Sequence, residues 1–154
     1  MPKNNFLQKF SLIYFAMIAT ITFFGLAVYF LCQNGMAGST DDHFVKQLSD
    51  ALAIVVPLFF IAAHFVFRSL VKRINLSLDL EQKLVGYGVA LLVRSAFLEV
   101  PGLLISVMAL LTGRVSVLLL LPLVVITFIV LRPKAASIAS DLNLSLQEKE
   151  SLEI

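Results

Sequence analysis

The sequence predicts an all-α fold, an integral membrane bundle of four helices arranged as two tandem hairpins. Three observations lead to this class. Hydrophobic residues make up 59% of the 154 residues and charged residues only 14%, whereas charged residues are about 25% of an average soluble domain. Four apolar runs reach or approach the roughly 20 residues that a helix needs to cross a bilayer. Lysine and arginine lie mostly at the ends of these runs, where they orient membrane helices.

The four expected spans cover about 10–32, 49–67, 84–111 and 115–131, within a single domain of residues 1–154. The first run is longer than the hydrophobic region of about 7–15 residues in a signal peptide, so we expect a retained span. A loop rich in Gly, Asn, Ser and Asp separates the first two spans. Thr112-Gly113-Arg114 allows only a tight turn between the last two. Residues 134–154 should form a cytoplasmic tail with a short helix.

The basic residues predict the orientation of the spans. Nine Lys and Arg residues fall on one side, against Lys46 and Arg114 on the other, and Arg94 lies within a span. Because basic residues accumulate in cytoplasmic loops, both termini and the central loop should be cytoplasmic.

A short repeat links the central loop to the tail. Asn-Leu-Ser-Leu occurs at 75–78 and again at 143–146, each time after a predicted hairpin, and a plausible helix N-cap pair follows each copy: Asp79 with Gln82, and Ser145 with Glu148. One explanation is duplication of a two-helix unit, which would give a parallel repeat because both hairpins enter from the same face. The other is the general similarity of apolar helices.

Two charged residues inside the third span are the first candidates for function. Arg94 and Glu99 each cost from about 2.5 kcal/mol upward inside a bilayer, so such residues are usually paired or turned toward protein. On the second span, His64 and Arg68 lie one turn apart, and His64 should lie at a depth similar to that of Arg94. The four side chains could form a polar cluster that relays protons or ions. Alternatively, the basic side chains extend toward lipid headgroups, and Glu99 is protonated or paired within the protein.

Small residues form a stripe on the same third span. They recur at heptad-like spacings with Glu99 among them, and the set is Gly88, Ser95, Gly102, Ser106, Ala109 and Gly113. Small residues let helices approach closely in lipid, so this face should contact protein. Pro101 has no N–H for the carbonyl of Phe97, which predicts a kink beside Glu99, and Pro57 predicts another in the second span.

The run RSAFLEVP at 94–101, with Leu-Thr-Gly at 111–113 and Arg132-Pro133 after the fourth span, resembles a family of small bacterial four-helix membrane proteins. The resemblance implies an inner-membrane location and no particular activity. More loosely, a duplicated hairpin with one intramembrane glutamate is similar to the proteolipid subunits of rotary ATPases. That likeness implies that Glu99 carries a proton or sodium ion, although this chain has no Gly-x-Gly-x-Gly run.

No catalytic motif of the H-E-x-x-H, G-x-S-x-G or phosphate-loop type occurs in the chain. We therefore expect no enzyme activity, no cofactor, no metal and no nucleic-acid partner. The leading expectation is a membrane subunit or accessory protein that associates, with itself or another membrane protein, through the small-residue face of the third span. The alternative is a small proton- or ion-coupled transporter that uses Glu99.

Overall fold

The computed structural model describes residues 4–38, 42–75 and 77–153, and all regular elements in these ranges are helices. Three of them are long: α1 spans Asn4–Gln33, α2 spans Asp42–Lys72 and α3 spans Leu80–Thr112. All three are long and apolar enough to cross a membrane. The all-helical prediction is confirmed for the described ranges, and the helices extend beyond the apolar runs that predicted them.

The fourth apolar run is less regular than predicted. It begins as a 3-10 helix, Val115–Leu120, and becomes α4 at Leu121–Val130. Pro122 explains the change, because a proline has no N–H to donate and fits best in the first turn of an α-helix. After α4 the chain bends by 69° into α5, Ala135–Asp141. The described residues therefore contain three membrane-length helices, or four if this bent pair forms one span.

The longest helix, α3, lies at the centre of the packing and contacts α1, α2 and α4. Two groups of buried apolar side chains lie along it. The first joins α3 to α1, α2 and α4 around Ile21, Leu98 and Phe128. The second surrounds the N-terminal half of α3, including Leu91, and includes Ile138 from α5. Most buried hydrophobic side chains of the described residues outside α3 belong to one of these two groups.

The tail folds back onto α3. It contains two short helices, α5 and α6 (Leu146–Glu153), where one was predicted. Leu142 and Leu144, in the link between them, are buried in the second apolar group. The backbone N–H of Ser145 donates to Glu148 at 2.8 Å, and the N–H of Glu148 donates to the Ser145 hydroxyl at 3.4 Å. The N-cap pair predicted at this site is therefore present.

The two copies of Asn-Leu-Ser-Leu have different local structures. In the first, the Asn75 side chain accepts hydrogen bonds from the backbone N–H and the hydroxyl of Ser77. In the second, Asn143 has a positive φ of 47° and the following leucine is buried. Asp79 occupies the N-cap position of α3 but makes no capping hydrogen bond with its side chain, so only one of the two predicted cap pairs forms.

At the opposite end of α3 the turn is as tight as predicted. Gly113 ends the helix with φ 66°, a left-handed conformation that favours glycine. A Cβ at this position would lie 2.9 Å from the backbone oxygen of Gly38. Glycine is therefore required here both by its dihedral angles and by the close approach of the loop after α1.

Candidate functional site

Arg94 is buried where α1, α2, α3 and the end of α4 meet, with 9% of its surface exposed. Its Nε and Nη2 donate to the Tyr14 hydroxyl at 3.3 and 3.0 Å. Nη2 also donates to the backbone oxygen of Leu131 at 2.5 Å, at the C-terminus of α4. The guanidinium carbon lies 4.2 Å from the centre of the Phe67 ring. Arg94 is therefore held by a hydroxyl, a helix-end carbonyl and an aromatic face.

The depth of Arg94 follows from helix geometry. It precedes Thr112 by 18 residues, or about 27 Å at 1.5 Å per residue. The six 3-10 residues and ten α-helical residues of the fourth run also span about 27 Å. The hydrocarbon core of a bilayer is about 30 Å thick. If the turn at Gly113 marks one membrane surface, Arg94 lies close to the other, near the headgroups.

A cavity of about 520 Å³ lies beside Arg94. Two of the predicted cluster residues, His64 and Arg68 on α2, line it together with Arg94. Both are exposed. The structure therefore brings three of the four residues of the predicted cluster to one cavity, and their role as a relay stays a prediction.

The cavity lining is strongly basic. Five of its side chains carry a positive charge and one a negative charge: Arg68, Lys72, Arg94, Arg132 and Lys134, and Asp141. In the described part of the chain, none of the five lies within ion-pair distance of a carboxylate. Arg132 donates instead to the Ser11 hydroxyl at 2.9 Å. The cavity therefore carries an excess of positive charge that the described residues do not neutralise.

Glu99 does not join this cluster. It lies about 140° around α3 from Arg94 and does not line the cavity. Its neighbours at helical spacing, Leu92, Ala96 and Val107, are exposed, and Glu99 itself is partly buried. Among the described residues it has no hydrogen-bond or ion-pair partner. Its carboxyl group is thus at the edge of the outer face of α3, roughly 20 Å from the turn at Gly113.

The small-residue face of α3 packs against α1 in the same chain. A Cβ at Gly102 would lie 2.8 Å from Cγ2 of Ile21, and one at Gly88 would meet the ring of Phe10. Ser95, Ser106 and Ala109 are fully buried. The expectation that this face contacts protein fits these positions, and the contact is made within the chain.

Both predicted kink positions lie inside continuous helices. Pro101 is buried in α3, two residues after Glu99, and Pro57 is exposed in α2. Pro101 leaves the carbonyl of Phe97 without its usual α-helical donor.

The tail closes one side of the cavity. The Tyr87 hydroxyl donates to Asp141 Oδ2 at 2.8 Å, and both residues line the cavity. Lys83 Nζ lies 2.9 Å from Glu148 Oε1. Hydrogen bonds from the backbone of Ser145 and from Lys83 lower the pKa of Glu148 to about 2. Tail docking therefore combines the burial of leucines with two polar contacts to α3.

Sequence reasoning missed most of the residues that line the cavity. Arg132 and Lys134 were not assigned to the polar cluster, and Tyr87 and Asp141 were not singled out. Tyr14 was not singled out either, although it is a direct hydrogen-bond partner of Arg94. A buried arginine in a span predicts a polar partner, and Tyr14 has the one hydroxyl group between Ser11 and Thr20 in α1.

No protein-family model matches the chain, and no curated protein or solved structure is significantly similar to it. The likeness to small bacterial four-helix membrane proteins and to proteolipid subunits therefore stays a prediction from the residues.

Proposed function

We propose that this chain is a non-enzymatic integral membrane subunit or accessory protein that associates within the bilayer with a second copy of itself or with another membrane protein. The supporting observation is Glu99, a partly buried carboxyl group that has no partner among the described residues. Intramembrane carboxyl groups almost always face protein or water. A second polypeptide on the outer face of α3 would supply the missing donor.

The association surface follows from which parts of α3 are already covered. α1 occupies the small-residue face around Gly102, so that face is not available to a partner in the folded chain. The remaining outer face contains Leu92, Ala96, Glu99 and Leu103, at spacings of one helical turn. We therefore assign partner contact to this outer face, and the small-residue stripe to packing within the chain.

The proposal includes the finer architecture that the sequence predicts. The helices form two tandem hairpins in one bundle, with both termini on the cytoplasmic side of a bacterial inner membrane. The basic residues near the ends of α2 and after α4, such as Arg68, Lys72 and Lys134, support this orientation. Labelling of single cysteines at Lys9 and Lys46 from outside intact cells tests it: only the cysteine at Lys46 should react.

Association is tested by cysteine crosslinking in native membranes. In a Cys32→Ser background, Ala96→Cys introduces a thiol one turn from Glu99, and Ile61→Cys introduces one on the exposed face of α2. We expect a crosslinker to join Ala96→Cys to a second polypeptide and to leave Ile61→Cys monomeric. Adding Glu99→Leu should abolish the adduct, while Glu99→Gln, which keeps hydrogen-bonding capacity, should retain it.

Equal crosslinking of the two cysteines would indicate random collision, and no adduct from Ala96→Cys would remove the proposed surface. Either outcome contradicts the proposal. Purified monomer after each substitution should still elute as a compact species, which separates loss of association from misfolding.

A proton- or ion-coupled transporter is the second candidate, and the Pro101 position favours it. The free carbonyl of Phe97 and the carboxyl group of Glu99 lie within one turn of each other, and such oxygens can hold a cation on its way across a membrane. In this case Glu99 would be a carrier of the ion.

Liposome flux distinguishes the two candidates. Reconstituted protein should move protons or sodium ions down an imposed gradient if the transporter proposal is correct, and Glu99→Gln should stop that flux. Flux that does not depend on Glu99 would contradict it. The accessory proposal predicts no flux in either protein.

A further inference from the structure

The basic cavity at the end of the spans has the features of an anion-binding site. Its charges converge from separate elements: Arg68 and Lys72 from α2, Arg94 from α3, and Lys134 from the link between α4 and α5. Asp141 is the one acidic side chain in the lining, and it accepts a hydrogen bond from Tyr87. A single carboxylate cannot balance this charge.

Arg94 adds a directed donor at the base of the cavity. The hydrogen bonds to Tyr14 and Leu131 use its Nε and Nη2, which leaves Nη1 without a partner among the described residues. No side-chain nitrogen or oxygen of a described residue is both buried and unpartnered. Nη1 therefore reaches accessible space, and the cavity that Arg94 lines is that space. A guanidinium held rigidly with free N–H groups is well suited to phosphate oxygens.

With the turn at Gly113 at one membrane surface, the cavity lies at the level of lipid phosphates. Arg94 and the end of α4 both lie about 27 Å from the turn at Gly113, close to the thickness of the hydrocarbon core. Basic pockets between membrane helices at this level commonly hold anionic headgroups.

We propose that this cavity binds a phosphate group, carried either by an anionic lipid headgroup or by a soluble phosphate. The buried Arg94 donates to the phosphate through Nη1, and the exposed Arg68, Lys72 and Lys134 neutralise its charge. The inference is independent of association at Glu99, because the two sites lie on different faces of α3.

Basic residues at the ends of spans also attract anionic lipid without any defined site. Arg73 separates the two cases: it is exposed, follows α2 directly and does not line the cavity. A diffuse effect would depend on Arg73 as much as on Lys134. A defined site would depend on Lys134 and not on Arg73.

The experiment measures binding to delipidated full-length protein in a neutral detergent. Phosphatidylglycerol, phosphatidylcholine and inorganic phosphate are titrated separately, with sodium chloride at equal ionic strength as the blank, and the thermal midpoint reports occupancy. We expect saturable stabilisation by phosphatidylglycerol, by inorganic phosphate or by both. Arg68→Gln and Lys134→Gln should each weaken it roughly 5-fold, and Arg73→Gln should leave it unchanged.

The titrations also distinguish the source of the phosphate. Saturable stabilisation by phosphatidylglycerol alone supports a lipid headgroup, and stabilisation by inorganic phosphate supports a soluble ligand. Absence of both, or equal losses for Arg73→Gln and Lys134→Gln, would overturn the proposal. Because Arg68 and Lys134 are exposed, their variants should fold, and native mass spectrometry of retained lipid provides a second readout.

Discussion

Arg94 and Glu99 lie five residues apart on α3, yet they lie on different sides of the helix and differ in burial and in binding partners. Arg94 is 9% exposed and is bound by Tyr14, Leu131 and Phe67. Glu99 is at the edge of the outer face, without a partner among the described residues. A charge within an apolar run therefore has to be interpreted from both its depth and its face. Here one charge belongs to the interior and the other to a surface.

The largest expected effect comes from removing the interior charge. Arg94→Met leaves the Tyr14 hydroxyl and the Leu131 carbonyl without their donor, and hydrogen bonds to a charged group contribute about 1.5–3 kcal/mol each. We expect the free energy of unfolding to fall by about 3 kcal/mol, measured by denaturation in detergent. Arg68→Met, which removes an exposed charge from the same cavity, should change it by less than about 0.5 kcal/mol. Equal losses would mean that charge alone, and not the buried contacts, stabilises this region.

A second prediction tests whether the small-residue face is internal. Gly102→Ala brings a methyl group within 2.8 Å of the fully buried Ile21, and overpacking of this kind costs about 1 to 3 kcal/mol. In Gly86→Ala the nearest side-chain atom is 3.4 Å away, so the higher helix propensity of alanine should dominate. We expect Gly102→Ala to lower the thermal midpoint and Gly86→Ala to maintain or raise it. Tolerance of Gly102→Ala would mean that α1 does not pack on this face.

The hydrogen bond between Tyr87 of α3 and Asp141 of the tail should stabilise the fold less than the contacts of Arg94 do. Tyr87→Phe removes the hydrogen bond to Asp141, which is worth about 1 kcal/mol, and leaves the apolar packing of the ring in place. We expect faster proteolysis within α5 and α6 and an unchanged rate in the loop between α1 and α2. Uniform acceleration would indicate global destabilisation instead of release of the tail.

A smaller effect concerns pH. The pKa of Glu148 is about 2 in the folded protein, against an ordinary value of 4.5. Because the pKa of Glu148 is lower in the folded than in the unfolded protein, ionised Glu148 stabilises the fold. This stabilisation is complete above about pH 4.5 and is lost as pH falls toward 2. Hydrogen exchange in α6, corrected for its intrinsic rate, should show falling protection over that interval. Glu148→Gln should show low protection that does not change with pH, and parallel curves for both proteins would contradict the assignment.

Much of the fold could be predicted from the sequence because bilayer crossing imposes length and composition directly. The four apolar runs, the tight turn at Gly113 and the cap pair of Ser145 with Glu148 follow from local patterns. The 3-10 start of the fourth run was missed, although Pro122 provides the signal. The docking of the tail on α3 was missed, because its leucines have no visible partner until α3 is placed in three dimensions.

The candidate site was predicted only in part. His64, Arg68 and Arg94 were grouped by counting from the ends of the spans, and they line one cavity. Glu99 was grouped with them by proximity along the helix, although its helical angle already separated it from Arg94 by about 140°. Lys134 lies in the bend after α4 and Asp141 ends α5. The direction of that bend depends on packing and not on local sequence.

The most direct test of this comparison measures the free energy of unfolding of Glu99→Gln and of Arg94→Met in the same detergent, one that keeps the protein monomeric. Because Glu99 has no partner among the described residues, its variant should unfold within about 0.5 kcal/mol of the unmodified protein, while Arg94→Met loses about 3 kcal/mol. A loss for Glu99→Gln as large as that for Arg94→Met would show that Glu99 is bound inside the single chain, and its assignment to a partner surface would be wrong.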